Sequence, residues 1–233
     1  MNNKFIDRLI ETRDLKKSLY GILKHNFLYH SNKIEGSTFT TEALALLLDK
    51  NIVEGKHTLD DVQETVNSSY VFDTVIDTLD QNISHSFLKN LHSSLFFNTT
   101  LHSRGLSGIY KTIPNMILGT DIKLAQPFEV EPLLDELFEW YYNLDKVTLE
   151  SIAEFHYRFE RIHPFQDGNG RIGRFLMLKQ MLENNLPLKI VSWDNEDLYR
   201  SSLASSKIGD YSPLIAYINN LDDFKEAYKE YWI

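Results

Sequence analysis

Residues 163–174 read His163-Pro-Phe-Gln-Asp-Gly-Asn-Gly-Arg-Ile-Gly-Arg174, and they separate two segments of helical periodicity. Before this stretch, four apolar residues between Ile152 and Ile162 recur at spacings of 3, 4 and 3, which predicts an amphipathic helix opened by Thr148. After it, the sequence predicts a further helix from about Arg171 to Glu183. The stretch is therefore expected to form a loop that ends by opening a helix.

The residue types of this loop suit a ligand that carries phosphate groups. Gly168 and Gly170 can adopt backbone angles closed to other residues and would let the chain approach a ligand closely. Amides at the start of a helix point at an anion and add the positive end of the helix dipole. Arg171 and Arg174 lie one turn apart, so both guanidinium groups can bind phosphate oxygens.

Two further residues of the loop supply chemistry. Asp167 is a hard oxygen ligand suited to Mg²⁺, which is commonly held by one or two carboxylates together with substrate phosphates. His163 can accept a proton near neutral pH. The loop as a whole therefore indicates transfer of a phosphate-linked group from a nucleotide.

Two other interpretations of the loop stay open at this point. The pattern Gly168-x-Gly170-x-x-Gly173, with Asp194 further on, matches the dinucleotide-binding fingerprint. That fingerprint requires a buried strand immediately before it, whereas residues 155–162 are charged and helical in period. An ordinary surface loop with capping glycines and solvated arginines would explain any one of these residues, but it explains poorly their concentration within twelve positions.

The composition of the 233-residue chain is that of a helical globular protein. Hydrophobic residues make up 42% and charged residues 24%, and 10 glycines with 6 prolines are few helix breakers for this length. One domain or two small ones are expected. The absence of cysteine excludes disulfides, thiolate metal sites and cysteine nucleophiles. The net charge of −9 disfavours nucleic acid or an anionic membrane as the partner.

Most of the remaining chain has the apolar periodicity of amphipathic helices. Thr41, Thr58, Ser84, Asn195 and Ser212 are predicted to begin helices, the one at Ser212 being the last before an amphipathic tail. In the N-terminal part of the chain, three sets of apolar residues are assigned to helix faces: Phe5, Leu9, Ile10 and Leu15; Leu19, Ile22, Leu23, Phe27 and Leu28; and Val62, Val66, Tyr70, Val75 and Leu79. Only the segment 108–127 has two short extended stretches, around Leu118-Gly119-Thr120-Asp121, and it predicts a β-hairpin. The fold class is therefore all-α, a helical bundle with one small hairpin.

The N-terminus is charged throughout and has no apolar core of a signal peptide. The longest strongly apolar run, Ala43–Leu48, is far shorter than the ~20 residues of a membrane helix. A cytoplasmic location is expected.

Residues 163–174 match every fixed position of the Fic motif, H-x-F-x-[DE]-G-N-G-R-x-x-R, and the chain is similar to Fic-family enzymes over roughly half its length. The resemblance implies a Fic fold and transfer of AMP from ATP to a hydroxyl side chain of a target protein. His163 then resembles the general base, and Asp167 resembles the ligand of Mg²⁺ or Mn²⁺. Phe165 corresponds to the aromatic residue that is buried beneath the loop.

The resemblance also implies where the nucleotide lies. Gly168, Asn169 and Gly170 match the anion hole, with Asn169 near the α-phosphate, and Arg171 and Arg174 match the contacts to the β- and γ-phosphates. The hairpin at about 108–127 looks like the family's flap, which would align a target segment through Lys111, Thr112 and Ile113. Many relatives have arginine where Lys111 stands. Tyr199 is the candidate for packing on adenine, with an ordinary core residue as the alternative.

A second motif, Ser31-Asn-Lys-Ile-Glu35-Gly36, places Ser31 and Glu35 on one helix face, with Gly36 as a C-cap. A lone glutamate there would be read as an exposed, tolerated residue. Beside the Fic motif, the segment resembles the family's inhibitory signature, in which the glutamate pairs with the second arginine, here Arg174. The resemblance implies autoinhibition from the same chain.

The expectation is a protein adenylyltransferase that uses ATP and Mg²⁺, is inhibited by Glu35 and modifies a Ser, Thr or Tyr hydroxyl of a target, the enzyme itself included. Residues 1–60 form an N-terminal region with the inhibitory helix at about 19–36, and residues 61–233 form the Fic core. The alternatives are removal of AMP, transfer of UMP, phosphate or phosphocholine, and a catalytically silent interaction module. A homodimer through the C-terminal tail is one candidate assembly.

Overall fold

The computed structural model describes residues 3–15, 17–116 and 123–233, and the regular elements there are helices, with no β-strand among them. The all-α prediction is confirmed for these residues. Their α-helices are Lys4–Glu11 (α1), Leu19–Ile34 (α2), Thr41–Lys50 (α3), Leu59–Asp77 (α4), His85–Leu95 (α5), Thr100–Ser103 (α6), Val130–Tyr142 (α7), Leu149–Ile162 (α8), Asn169–Glu183 (α9), Glu196–Ser205 (α10), Ser212–Asn220 (α11) and Phe224–Ala227 (α12). Short 3₁₀ turns span Pro127–Glu129, Trp193–Asn195 and Lys229–Tyr231.

Capping side chains start several of these helices, as the sequence predicts. Thr58, Ser84 and Thr148 each accept a hydrogen bond from the backbone amide three residues on. Two predictions were wrong by a residue or two. Thr40, rather than Thr41, caps α3, and α9 begins at Asn169 because the left-handed Gly168 precedes it.

Two further boundaries differ from the sequence prediction. Asn195 stands at the N-cap position of α10, but its side chain makes no capping hydrogen bond. The helix that begins at Ser212 is followed by α12 and a 3₁₀ turn rather than by one amphipathic tail helix.

Helix α9 is the centre of the fold, because α2, α4, α5 and α8 pack around it. Its residues from Asn169 to Leu182 are buried, with the exception of Gly170. The buried residues include charged ones, namely Arg171, Arg174 and Lys179. Burying a charge is costly unless it is paired, so these side chains must have partners inside the protein.

Three apolar residues assigned to the core from their spacing are exposed, namely Ile10, Leu15 and Tyr70. Helix α1 buries Phe5 and Leu9 and ends at Glu11, so Ile10 faces outward and Leu15 lies beyond the helix. Neighbouring residues of α4 face the interior in place of Tyr70. The periodicity predicted these helices correctly, but the apolar face that it assigned to α1 and to α4 was wider than the face that is buried.

The segment 108–127 is attached to the end of α8 on both sides. The Lys111 amide donates to the Pro164 carbonyl at 2.8 Å, and the Ala125 amide donates to the Arg161 carbonyl at 3.1 Å. The centre of the predicted hairpin, residues 117–122, lies outside the described residues. The division into residues 1–60 and 61–233 stays a prediction.

Among the described helices, none combines the length and the apolar character that crossing a membrane would require.

Candidate active site

The loop between α8 and α9 is bounded by two residues in the left-handed region. His163 ends α8 with φ 49°, and Gly168 precedes α9 with φ 76°. A Cβ atom at Gly168 would lie 2.5 Å from Cε2 of Phe96, so glycine is required there for space as well as for conformation. This turn brings the end of α8 against the positive N-terminal end of α9.

The side chain of Asn169 holds the loop together. Its Oδ1 accepts from the Phe165 amide at 2.8 Å, and its Nδ2 donates to the Phe165 carbonyl at 2.9 Å. Nδ2 of Asn115 donates to the same carbonyl at 3.0 Å. The Phe165 ring is fully buried, as predicted. Asn169 is thus close to the predicted phosphate site, and its amide fixes the backbone that forms it.

His92 supports the loop from below, a position that the sequence did not single out. Its ring stacks on Phe165 with centroids 3.9 Å apart. The Gly108 amide donates to Nδ1 at 2.9 Å, so Nε2 carries the hydrogen and donates to the Asp167 carbonyl at 3.0 Å. Burial lowers the pKa of His92 to about 4, which keeps the ring neutral. The one sequence signal was its position on the apolar face of α5, four residues after Leu88.

His163 has the protonation state that a general base requires. Its Nδ1 lies 3.3 Å from the Glu160 carbonyl oxygen, and a carbonyl only accepts, so Nδ1 carries the hydrogen and Nε2 keeps a lone pair. Burial, together with the charge of Lys111, lowers the pKa of His163 to about 4. The imidazole is therefore neutral at physiological pH.

The three predicted flap residues have two different environments. Lys111 is buried, and its Nζ donates to the Ile162 carbonyl at 3.1 Å and to Oδ1 of Asn115 at 2.9 Å. Burial lowers the pKa of Lys111 to about 8. Thr112 and Ile113 are exposed. Lys111 therefore attaches the segment to the end of α8, while the next two residues face solvent.

Arg174 is held by helix α2. Its Nε donates to Oγ of Ser31 at 3.0 Å, and its Nη2 donates to the Ser31 carbonyl at 2.9 Å and to Oε1 of Glu35 at 2.7 Å. Burial raises the pKa of Glu35, but the charges of Arg174 and Arg171 outweigh it and hold that pKa below its ordinary value. The structure thus places Ser31, Glu35 and Arg174 in contact.

The Glu35 carboxylate lies against the first turn of α9. A Cβ atom at Gly170 would come 2.3 Å from its Oε1. The N-terminus of a helix is where an anionic ligand is favoured. The glutamate therefore occupies part of the place where the sequence predicts phosphate.

Arg171 has a different carboxylate partner, Glu64 of α4. Its Nη1 donates to Oε2 of Glu64 at 2.5 Å, and its guanidinium carbon lies 5.0 Å from the Phe96 ring centroid. Burial raises the pKa of Glu64, against the influence of Arg171. Glu64 was not predicted, and the sequence carried no pattern that joins it to the loop.

Asp167 is exposed in the loop just before α9. Its Oδ1 accepts from the Gly168 amide at 2.6 Å, and its Oδ2 accepts no hydrogen bond from the described residues. No cluster of three His, Cys, Asp or Glu residues suited to a metal occurs among the described residues. A single carboxylate beside a phosphate site suits Mg²⁺, which takes its other ligands from substrate and water.

Tyr199 lies in the core rather than at a surface. Its hydroxyl is 2.7 Å from Nε2 of His156, and its ring packs on His156 and Tyr217. Burial raises the pKa of Tyr199. This environment favours the alternative of an ordinary core residue over packing on adenine, which stays a prediction.

Glu160 is a buried acid close to His163, and the sequence did not indicate it. Burial raises its pKa to about 7. Its Oε1 and Nδ1 of His156 are buried without a hydrogen-bond partner among the described residues. Both groups lie close to Gly173, where an added Cβ would come 2.6 Å from the carboxylate oxygen.

The sequence of this region matches a known family. Residues 82–181 match the sequence profile of the Fic/DOC family. The chain is 27% identical over 204 residues to a protein of Nematostella vectensis named protein adenylyltransferase Fic, a match that covers 82% of this chain and 45% of that protein. The chain spans less than half the length of the curated relatives it matches first.

The fold is similar to solved structures as well. A Fic domain containing signaling protein from Bacteroides thetaiotaomicron matches with a TM-score of 0.75 and 24% identity over 93% of this chain and 92% of that one. The BepC protein of Bartonella tribocorum, solved with bound AMPPNP, matches with a TM-score of 0.50 and 16% identity over 70% of this chain and 88% of that one. Residues 82–181 therefore resemble the Fic/DOC family in sequence, and the described part of the chain has the Fic fold.

Proposed function

We propose that this chain is a Mg²⁺-dependent protein adenylyltransferase that transfers AMP from ATP to a Ser, Thr or Tyr hydroxyl of a target protein, and that Glu35 inhibits it. One observation carries the proposal: neutral His163 lies across a short loop from the start of α9, where Arg171 and Arg174 are each paired with a carboxylate. The adenylyltransferase names of distant relatives and the AMPPNP-bound BepC protein support it.

The proposed chemistry assigns one step to each group. Nε2 of His163 takes the proton of the target hydroxyl, whose oxygen attacks the α-phosphorus of ATP. The bond from the α-phosphorus to the bridging oxygen breaks, and pyrophosphate leaves with the electron pair. Arg171, Arg174 and the amides at the start of α9 bind the triphosphate and hold it in line with the hydroxyl.

Asp167 would hold Mg²⁺, which would neutralise phosphate charge and favour the departure of pyrophosphate. The chemistry of the donor fits this ion, because an exposed carboxylate oxygen lies beside the predicted phosphate site. The protein residues supply the base and the orientation of the substrate.

Inhibition follows from competition for one guanidinium group. Glu35 and Ser31 together use the Nε and Nη2 donors of Arg174. A bidentate site that is already occupied cannot bind the γ-phosphate at the same time. The segment 1–60 is then a regulatory region and residues 61–233 the catalytic core, with Thr112 and Ile113 as target contacts.

The experiment that tests the function uses ATP labelled on the α-phosphate or on the γ-phosphate. The Glu35→Gly variant is incubated with each nucleotide, with Mg²⁺ and with a protein extract, and His163→Ala in the same background is the matched control. Label retained in protein from the α position alone, and lost in the control, is the expected result.

Other outcomes assign other functions. Retention from the γ position alone would replace adenylylation by phosphate transfer. Retention from labelled UTP but not from ATP would identify a uridylyltransferase. Loss of AMP from a previously modified protein, without any addition, would make removal the main activity.

A further inference from the structure

The two arginines of α9 are held in different ways. Arg174 donates through Nε and Nη2 to Ser31 and Glu35. Every donor on the Nε–Nη2 edge of its guanidinium therefore has a hydrogen-bond partner. Arg171 donates through Nη1 to Glu64, whereas its Nε is buried and has no hydrogen-bond partner among the described residues. The edge of Arg171 formed by Nε and Nη2 therefore has an unmet donor.

A buried donor without a partner is costly, and such groups in folded proteins are commonly paired with a ligand or water. This donor lies in the first turn of α9, where an anion is favoured. A phosphate oxygen would satisfy it without displacing Glu64, because Glu64 uses the other terminal nitrogen. The two carboxylates are thus not equivalent: Glu35 competes for the substrate edge of its arginine, and Glu64 does not.

Several contacts fix the place of Glu64. Oγ of Ser68 lies 2.8 Å from the backbone carbonyl of Glu64 and 3.0 Å from Oδ1 of Asn32 on α2, and the single hydroxyl hydrogen can be donated to either oxygen. On the other side, the Phe96 ring lies under the Arg171 guanidinium. The arginine is held between a carboxylate at its end and an aromatic ring on its face.

We infer that Glu64 is a positioning residue for the phosphate subsite of Arg171, holding Nη1 so that the Nε–Nη2 edge faces the nucleotide. The inference rests on the proposed function and adds to it a second carboxylate with the opposite effect from Glu35. Loss of Glu35 would free Arg174 to bind the nucleotide. Loss of Glu64 would instead release Arg171 from the orientation in which it binds phosphate. The negative charge of Glu64 itself repels phosphate, so its benefit to binding comes from geometry.

The test compares Glu64→Ala and Glu64→Gln in the Glu35→Gly background. The affinity for ATP with Mg²⁺ is measured by calorimetry after His163→Ala is added, and KM and kcat are measured by labelling without it. We expect Glu64→Ala to weaken ATP binding and raise KM by about tenfold or more, the usual effect of losing a hydrogen bond to a charged group. Glu64→Gln keeps an oxygen acceptor for Nη1 and should recover most of the affinity.

The matched control is Asp77→Ala, because Asp77 also lies on α4 and pairs with an arginine, Arg13, at 2.6 Å. That variant should lose stability without any change in KM for ATP. Tighter ATP binding or faster labelling by Glu64→Ala would show that Glu64 blocks the site as Glu35 does, and would overturn the inference. Equal losses of kcat in both Glu64 variants, with unchanged KM, would also overturn it.

The outcomes separate this inference from the proposed function. A parent that binds ATP but labels no protein contradicts the proposed function, while the ATP affinities of the Glu64 variants still decide the role of Glu64. A parent that binds no ATP overturns both.

Discussion

Glu35 places a carboxylate at the positive end of α9, against a glycine that leaves room for it. Its partner Arg174 is almost fully buried, and the pair is 2.7 Å apart. A charged pair inside a protein is easily broken only when another anion replaces the lost partner. Under the proposed function, the triphosphate of ATP would be such an anion, and the same contact would both stabilise the resting protein and restrain its activity.

Glu35→Gly is therefore expected to raise the rate of adenylylation by about tenfold or more, since a coupling of ~1–3 kcal/mol is enough for such a change. Ser31→Ala should give a smaller rise, because Ser31 orients Arg174 without competing through a charge. Transfer of label from α-labelled ATP measures both. The control is Glu54→Gly, a change of the same residue type in an exposed loop. A folded Glu35→Gly protein with the wild-type rate would contradict autoinhibition.

His163→Ala should abolish transfer and leave ATP binding largely intact. In the proposed mechanism the imidazole acts on the incoming hydroxyl, whereas the phosphate contacts come from residues 168–174. The variant and its parent are compared in the Glu35→Gly background, where calorimetry measures the affinity for ATP and labelling of the same preparation measures the rate of transfer. Residual transfer close to that of the parent would remove His163 from the role of base.

At the scale of elements, the α8–α9 loop owes its shape to a few local contacts. Asn169 bonds both the amide and the carbonyl of Phe165, and Gly168 supplies the left-handed turn. The same short segment therefore presents His163 from one helix and the N-terminal amides of the other. In the proposed mechanism, the distance between His163 and the phosphate site depends on the shape of this loop.

Asn169→Ala should open the loop and lower its stability. The buried amide of Phe165 loses its partner, and such an unmet group costs about 1–3 kcal/mol, whereas the Phe165 carbonyl keeps its hydrogen bond from Asn115. We expect a loss of stability of that order in urea unfolding and a fall in transfer larger than the fall in ATP affinity. Asn195→Ala is the control, because Asn195 makes no capping bond and should change stability by less than about 0.5 kcal/mol. Unchanged stability of Asn169→Ala would exclude the proposed role of this side chain.

At the scale of the whole molecule, buried ionisable groups make the fold sensitive to acid. Burial lowers the pKa of His92 and His163 to about 4 and that of His156 to about 3. The unfolded chain binds protons at these residues below about pH 6.5, and the folded chain does not. These three groups therefore reduce stability as the pH falls through 6.5.

Glu160 acts in the opposite sense, because burial raises its pKa to about 7 and its ionisation disfavours the fold as the pH rises from about 4.5 to 7.

The difference between wild type and His156→Gln isolates one of these contributions. Between pH 6.5 and 5 the variant should lose about 1–2 kcal/mol less stability than wild type, because it has no imidazole to protonate on unfolding. Urea unfolding at both pH values measures the difference. His102→Gln, at an exposed histidine, is the control. Parallel stability curves for wild type and His156→Gln would show that His156 is not held neutral by the fold.

Local interactions explain what could be predicted from the sequence. The caps at Thr58, Ser84 and Thr148, the left-handed Gly168 and the helices on either side of the loop depend on contacts within a few residues, so residue type and spacing indicate them directly. The all-α class follows from the same signals. The contact of Glu35 with Arg174 was expected only through the resemblance to Fic proteins.

The sequence by itself therefore determined the helical class, the loop 163–174 and the residue types that suit phosphate and proton transfer. The tertiary structure decided which groups meet that loop: Glu64 reaches Arg171 across 107 positions of the chain, and Glu35 reaches Arg174 across 139. It also placed Tyr199 in the core and His92 beneath the loop. The physical reason is that charge pairing and burial between distant segments depend on how the helices pack around α9, and spacing along the chain carries no information about that packing.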